Sequence, residues 1–274
     1  REVAGDWETE LYYSSDRKEK NKTYCKIGSF VDLKNFNSLK FRIPPNIAAK
    51  MEKTQQMALL AADQAIIDAK LLEKNIDLSR VAVIVGTAKA GKLHDDNTLA
   101  IHFPKVIDSL HKSEAFHNLS LEEQVKLSGD IERHYMYGLP TITEDSMPGE
   151  LSNIVSGRIA NVFNFTGPNF IVDAACASSL AALEMAMKGL WDQDFDVAVT
   201  GASDASMRAT SFVYFSKIGA LSAEGSFPFD ERASGFVMGE GAGILILKRL
   251  SDAVKSGDKI YGLIRGVGSS SDGK

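Results

Sequence analysis

Cysteine is scarce in this 274-residue chain: Cys25 and Cys176 are the two, and they stand in unlike settings. Two such residues imply no disulfide framework, and a reducing cytoplasm is the expected location, one that suits a reactive thiol. Long hydrophobic runs are lacking. No stretch approaches the ~20 apolar residues of a membrane span, and no secretory signal is visible. Positive charge is not in surplus either: 31 Lys and Arg face 36 Asp and Glu, a net charge of −5. Without a basic cluster, neither nucleic acid nor an anionic membrane is expected as a partner. Histidine is missing from the later part, since His94, His102, His111, His117 and His134 all precede Cys176. Internal repeats and low-complexity linkers are lacking too. Apolar residues, in contrast, make up 44% of the chain, enough for one large core or two small ones.

One stretch organises the rest, Phe170-Ile171-Val172-Asp173-Ala174-Ala175-Cys176-Ala177-Ser178-Ser179-Leu180. A short β-branched run ends at Asp173, small residues follow, and Leu180, Leu183, Met187 and Leu190 then recur at helical spacing. Cys176 is therefore expected at a strand-to-helix turn, where unpaired N–H groups and the positive end of the helix dipole favour a thiolate. Ala174, Ala175, Ala177 and Ser178 leave room for a tight bend and an approaching substrate, as at a nucleophile elbow. The same residues also allow a plain alternative, a small buried cysteine beside a strand.

In chain order, residues 1–40 are polar and aromatic without a clear period and read as a loop-rich lead-in, spanning 1–45, on the surface. Pro44-Pro45 marks a helix start, and Ile47 to Leu72 reads as helix with Met57, Leu60, Ala61, Ala65 and Leu72 on one face. Arg80 to Gly86 is a near-continuous apolar run, as expected of a strand covered on both faces. Residues 94–145 read as a solvated helical insertion. Leu151, Ile154, Val155, Ile159, Val162 and Phe163 form a helical stripe, and Thr166 to Asn169 a turn. After Cys176 and its helix come a strand from Asp196 to Gly201, a short helix from Ser211 to Ile218 and a strand from Ala242 to Leu247. A polar helical segment near Asp252 to Lys255 and a strand from Ile260 to Val267 follow. The alternation argues for an α/β layer with a largely covered sheet; the short link between the last two strands leaves an antiparallel edge open.

Several separated motifs in this order carry a family likeness. VDAACASS, then DVAVTGASD, then FPFDERASGFVMGEGAG resemble the amino-terminal half of a β-ketoacyl synthase, most like the ketosynthase domains of polyketide and polyunsaturated fatty acid synthases. ITEDSMPGELSNIVSGRIANVFNFTGPNF is similar to the iterative, polyunsaturated-fatty-acid type, and the likeness runs from about Trp7 to Asp272. The resemblance implies a thiolase-like layered α/β/α fold, of which this would be the first half, with one strand expected before residue 1. It implies that Cys176 takes an acyl chain as a thioester, and that carbon–carbon bond formation follows decarboxylation of a malonyl thioester. The implied partners are an acyl carrier protein, acyl and malonyl thioesters, and a second copy of the chain, paired through the edge strand Asn169 to Asp173. No cofactor is implied beyond the phosphopantetheine that delivers the acyl groups, and no metal.

Three other patterns point elsewhere and are set aside. Gly86-Thr87-Ala88-Lys89-Ala90-Gly91-Lys92 has P-loop spacing after a strand. Leu93 stands where a hydroxyl should hold Mg²⁺, however, and His94 to Asn97 make a poor opening for the phosphate-facing helix. His94-Asp95-Asp96 with His102 matches no compact zinc spacing. The GxGxG spacing of Gly239, Gly241 and Gly243 runs into the β-like Ile244 to Leu247, not into a helix, which excludes a dinucleotide loop. Its glycines are expected to pass close to the nucleophile or to turn into a strand. Asp230 and Arg232 are expected to hold that loop, and Glu240 to be buried among hydrogen-bond partners.

A condensing enzyme also needs donors for the malonyl carbonyl and an oxyanion hole. The backbone N–H of Cys176 can be one donor. In the family, two histidines come from the second half, and no histidine follows Cys176 here. The chain is thus expected to be a piece of a longer protein and to be unable to condense alone. A synthase relative that only binds acyl chains or a carrier protein is the competing reading.

Overall fold

The computed structural model describes residues 2–3, 7–34, 36–88 and 91–273. In chain order the elements are α1 (Thr9–Tyr12), β1 (Gly28–Ser29), α2 (Pro45–Ala48), α3 (Lys53–Asp68), β2 (Val81–Gly86) and α4 (Lys92–His111). Then follow α5 (Glu114–His117), α6 (Leu121–Tyr135), α7 (Ser146–Glu150), α8 (Ile154–Phe163), β3 (Asn169–Val172) and α9 (Ser178–Trp191). The last are β4 (Val197–Asp204), α10 (Ala209–Lys217), β5 (Met238–Gly239), β6 (Gly241–Lys248) and α11 (Leu250–Lys255).

The main sheet has the order β3-β2-β4-β6. β2 runs parallel to both β3 and β4, and β6 runs antiparallel to β4, an antiparallel edge made by a different pair of strands from the one for which the sequence left it open. Side chains alternate across a strand, and β2 shows how that alternation makes three layers. Val81, Val83 and Val85 join Ala58, Leu59, Ala62, Val155 and Ile159 of α3 and α8 on one face. Ala82 and Ile84 join Ala182, Ala186 and Leu190 of α9 on the other. A strand buried on both faces must be apolar at every position, and β2 is buried throughout. Among the described residues no helix is long and apolar enough to cross a membrane.

Four expectations need correction. The lead-in is not a surface loop: Val3, Trp7, Tyr24 and Cys25 are buried against Met207, Phe212, Leu221 and Met238 in a second core. β1 pairs in parallel with β5 beside this core, but Val3, Trp7, Tyr24, Cys25, Met207 and Leu221 lie outside helices and strands, so loops bring most of these side chains together. The helix expected over 47–72 is two, α2 and α3, and its buried face is Thr54, Gln55, Met57, Ala58, Leu59, Ala62, Asp63 and Ile66, with Leu72 exposed. Polar groups took part in that face because Gln55 finds partners there: its Nε2 donates to Gly149 O at 2.8 Å, and its Oε1 accepts from Arg158 Nε at 3.0 Å.

On α9 the buried face is Ser178, Ala182, Ala186, Met187, Gly189 and Leu190, while Leu180 is 65% exposed. Small residues win there because they let the helix lie close to the sheet. Finally, Ile260 to Val267 forms no strand; the segment is exposed and has no ladder partner. A β pattern without a neighbouring strand leaves its backbone to water. Residues 94–145 are largely helical, carrying most of α4 and all of α5 and α6.

Candidate active site

The turn after β3 is built by short hydrogen bonds. Asp173 Oδ1 accepts from Ala175 N at 2.9 Å, and Ser178 Oγ accepts from Ala174 N at 2.9 Å while donating to Ala175 O at 2.7 Å. Ala175 is held at φ 50°, left-handed backbone that a residue with a Cβ rarely adopts. A 3-10 turn over Ala175–Ala177 then leads into α9. Cys176 sits at its centre, unpaired and exposed.

Gly86 at the end of β2 lies beneath this turn. A Cβ there would stand 2.5 Å from Ser178 O, so no other residue lets α9 start so close to the sheet. A cleft of about 340 Å³ opens beside Cys176, walled by Thr87, Ser179, Ala202, Asp204 and Ala242 among others. Gly241 and Gly243 of β6 line it too, so the glycine loop does carry its backbone past the cysteine.

Cys25 offers a contrast. It is buried, its Sγ donates to Ser222 O at 3.1 Å, and burial pushes its thiol above the ordinary 9.0. A protonated, enclosed thiol is a poor nucleophile.

The supporting residues behave structurally. Arg232 Nε donates to Asp230 Oδ1 at 2.8 Å, and this bond holds the Asp230 carboxyl below its usual range. Glu240 has a buried side chain, accepts from Val31 N at 2.7 Å and pairs with Lys53, tying the glycine loop to the lead-in.

α4 does begin at Lys92, against the expectation of a poor helix opening there. Lys89 and Ala90 of the P-loop-like run lie outside the described residues. The helix start is already occupied by a carboxylate of the chain itself: Glu52 Oε1 accepts from His94 N at 3.0 Å. A Cβ on Gly91 would meet Glu52 Oε2 at 2.3 Å, so the glycine is needed for that approach. Glu52 thus holds the position at this helix start that an anion would take.

The histidines ride on α4, α5 and α6, and none lines the cleft. Among the described residues no group of three or more His, Cys, Asp and Glu could hold a metal.

Sequence reasoning missed three supports: Glu52, Asp173 and Ser178. The last two had a signal. An Asp directly after a β run and a Ser opening a helix are residues that bond nearby backbone N–H groups. Glu52 had none, since its partners are 42 positions away.

The family model described as the N-terminal domain of β-ketoacyl synthases matches residues 1–253 of this chain. A polyunsaturated fatty acid synthase polypeptide of Thraustochytrium sp. is 33% identical over 264 residues, covering 96% of this chain and 9% of that protein. A pikromycin polyketide synthase component of Streptomyces venezuelae is 31% identical over 269 residues, 97% of this chain and 15% of its own length. The solved ketosynthase from module 6 of the bacillaene synthase of Bacillus subtilis superposes with a TM-score of 0.69 at 28% identity, over all of this chain and 39% of that one. The layered α/β/α arrangement is accordingly the thiolase-like fold of ketosynthases. The chain spans a small part of its curated relatives and about two fifths of the solved ketosynthase. A cysteine on a strained strand-to-helix turn, in a fold shared with solved ketosynthases and matched by one family model over nearly its whole length, leaves one assignment: the chain belongs to the β-ketoacyl synthase family and is its N-terminal domain.

Proposed function

We propose that this chain is the cysteine-bearing part of a condensing acyltransferase, a ketosynthase of polyketide or polyunsaturated fatty acid synthesis. An acyl group arrives as a thioester on the phosphopantetheine of an acyl carrier protein. Cys176 Sγ attacks the thioester carbon, its C–S bond forms as the pantetheine C–S bond breaks, and the thiol proton passes to the departing sulfur. In the complete enzyme a malonyl-carrier protein then loses carbon dioxide. The carbanion that remains attacks the acyl carbon, and the Cys176 C–S bond breaks. No cofactor enters either step. A second copy of the chain is expected to pair through the open edge of β3.

The observation that carries this reading is Cys176 exposed on a turn held at Ala175 φ 50°, beside a cleft lined largely by small residues. A structural cysteine needs neither the strain nor the opening. Peptide mapping after limiting iodoacetamide, and after an acyl thioester, tests it on folded protein. Label and acyl group are expected on Cys176, with Cys25 silent until denaturant is added. Preferential modification of Cys25 in folded protein overturns the assignment. Alkylation of Cys176 without acyl transfer favours a module that binds and does not acylate.

A further inference from the structure

We propose that Ser178 and Asp173 are positioning residues that aim the backbone N–H of Cys176, an assignment that rests on Cys176 being the acylated thiol. Two hydrogen bonds pin the two peptide groups that flank Ala175, and a third pins the peptide before them. The Ser178 hydroxyl, 5% exposed as a residue, donates to Ala175 O at 2.7 Å. That oxygen belongs to the peptide joining Ala175 to Cys176. In a trans peptide the C=O and N–H point in opposite directions. Anchoring the oxygen on Ser178 therefore turns the Cys176 N–H the other way, away from Ser178.

The preceding peptide is fixed independently, because Ala175 N donates to Asp173 Oδ1 at 2.9 Å. Ser178 Oγ also accepts from Ala174 N at 2.9 Å, closing the loop. With both flanking planes pinned, Ala175 stays at φ 50° although its Cβ disfavours that region. From below, Gly86 lets the first turn of α9 rest on β2, so the serine cannot drift from the turn it holds.

The chemistry gives this arrangement a use. Acyl transfer builds negative charge on the thioester oxygen and gains from a donor already aimed at it. Alkylation by iodoacetamide is a displacement at a saturated carbon and builds no such oxyanion. The two reactions share the sulfur and differ in their need for the N–H. Loss of a positioning contact is therefore read in their ratio, which a general loss of stability leaves alone.

The experiment uses the chain with Ser178→Ala, Asp173→Ala or Asp173→Asn. Acyl transfer from a short acyl-N-acetylcysteamine thioester and alkylation by iodoacetamide are each followed at Cys176 by mass spectrometry, with unlabelled Cys25 as the sign of a folded chain. Ser178→Ala is expected to slow acyl transfer by about ten- to a hundredfold, the scale of a small misplacement of reacting groups. Alkylation is expected to stay within about twofold, the lone change being at a group that alkylation does not use. Asp173→Ala is expected to act in the same direction, and Asn, which keeps the acceptor oxygen, to restore most of the loss. An unchanged ratio in Ser178→Ala overturns this proposal alone. Absence of acyl transfer in the unsubstituted protein overturns the functional reading and this one with it. If Ser178→Ala exposes Cys25, the same ratio in the Asp173 pair decides, and equal values for Ala and Asn overturn the proposal.

Discussion

At the scale of single residues, Glu52 shows how the chain uses a charge that its sequence neighbours do not explain. Its carboxylate is buried at the opening of α4, and desolvation pushes its pKa above the ordinary 4.5. The N–H groups of His94, Gly91 and Leu93 pull the other way and only partly offset it. A raised folded-state value means the native protein binds this proton more readily than the unfolded chain. The stability contributed by the protonated form is present below the unfolded value and lost as pH rises through the folded one. Glu52→Gln keeps an acceptor oxygen and removes the buried charge. The stability of this variant relative to the unsubstituted protein is therefore expected to improve from pH 4 to pH 7, measured by urea unfolding at both. A stability of Glu52→Gln that falls relative to the unsubstituted protein between pH 4 and pH 7 would refute the assignment. Glu52→Ala should be the less stable variant at both pH values, by about 1 kcal/mol, the usual cost of a lost helix cap.

At the scale of elements, the open edges of the sheet are the unfinished business of the fold. β3 and β6 are its outer strands, and an unpaired edge invites another strand. Phe170 on β3 is 37% exposed, and Leu245 on β6 is 51% exposed. Pairing of two copies through β3 puts Phe170 near the two-fold axis, so one substitution counts twice. Phe170→Glu is expected to weaken dimerisation by about tenfold or more, worth at least about 1.4 kcal/mol, in light scattering across a micromolar range. Leu245→Glu should leave the dimer intact. The reverse result would move the interface to β6, and a monomeric unsubstituted protein would remove it. Elements of this kind were the legible part of the sequence. β2 announces itself because burial on both faces demands an apolar residue at every step, whereas β6 shows through its apolar run alone, since none of its positions is fully buried. The α9 face was read correctly at Met187 and Leu190 but not at Leu180, because leucine marks a helix's apolar side only when something covers it. Ala182 and Ala186 meet the sheet, whereas Leu180 faces out. The second core was invisible for a different reason: Val3, Trp7 and Tyr24 reach Phe212 and Leu221 through loops, and loops carry no period to read.

At the scale of the whole molecule, the question is which steps these 274 residues can perform by themselves. Acyl transfer needs a thiol, a bound thioester and a donor to the oxyanion, and Cys176 with its turn can supply the first and last. Decarboxylation asks for more, a donor to the malonyl carbonyl as carbon dioxide leaves. All five histidines lie on α4, α5 and α6, helices that pack on one another and on α7. None reaches the Cys176 cleft, and the sequence holds no other. Loss of one preorganised donor costs ~3–4 kcal/mol, on the order of a hundred- to thousandfold in rate. Two such losses need not add, yet the combined deficit is expected to take turnover below detection. Residues 1–274 are therefore expected to accept an acyl group slowly at Cys176 and to release no measurable carbon dioxide from malonyl-carrier protein. Incubating the chain with an acyl thioester, and separately with carboxyl-labelled malonyl-carrier protein, reads the two steps apart. Carbon dioxide release that survives purification and vanishes when one of the five histidines becomes alanine would show that the helical segment reaches the cleft after all. Acylation at Cys176 without release would fit a chain that carries the nucleophile and leaves the malonyl carbonyl to groups outside it.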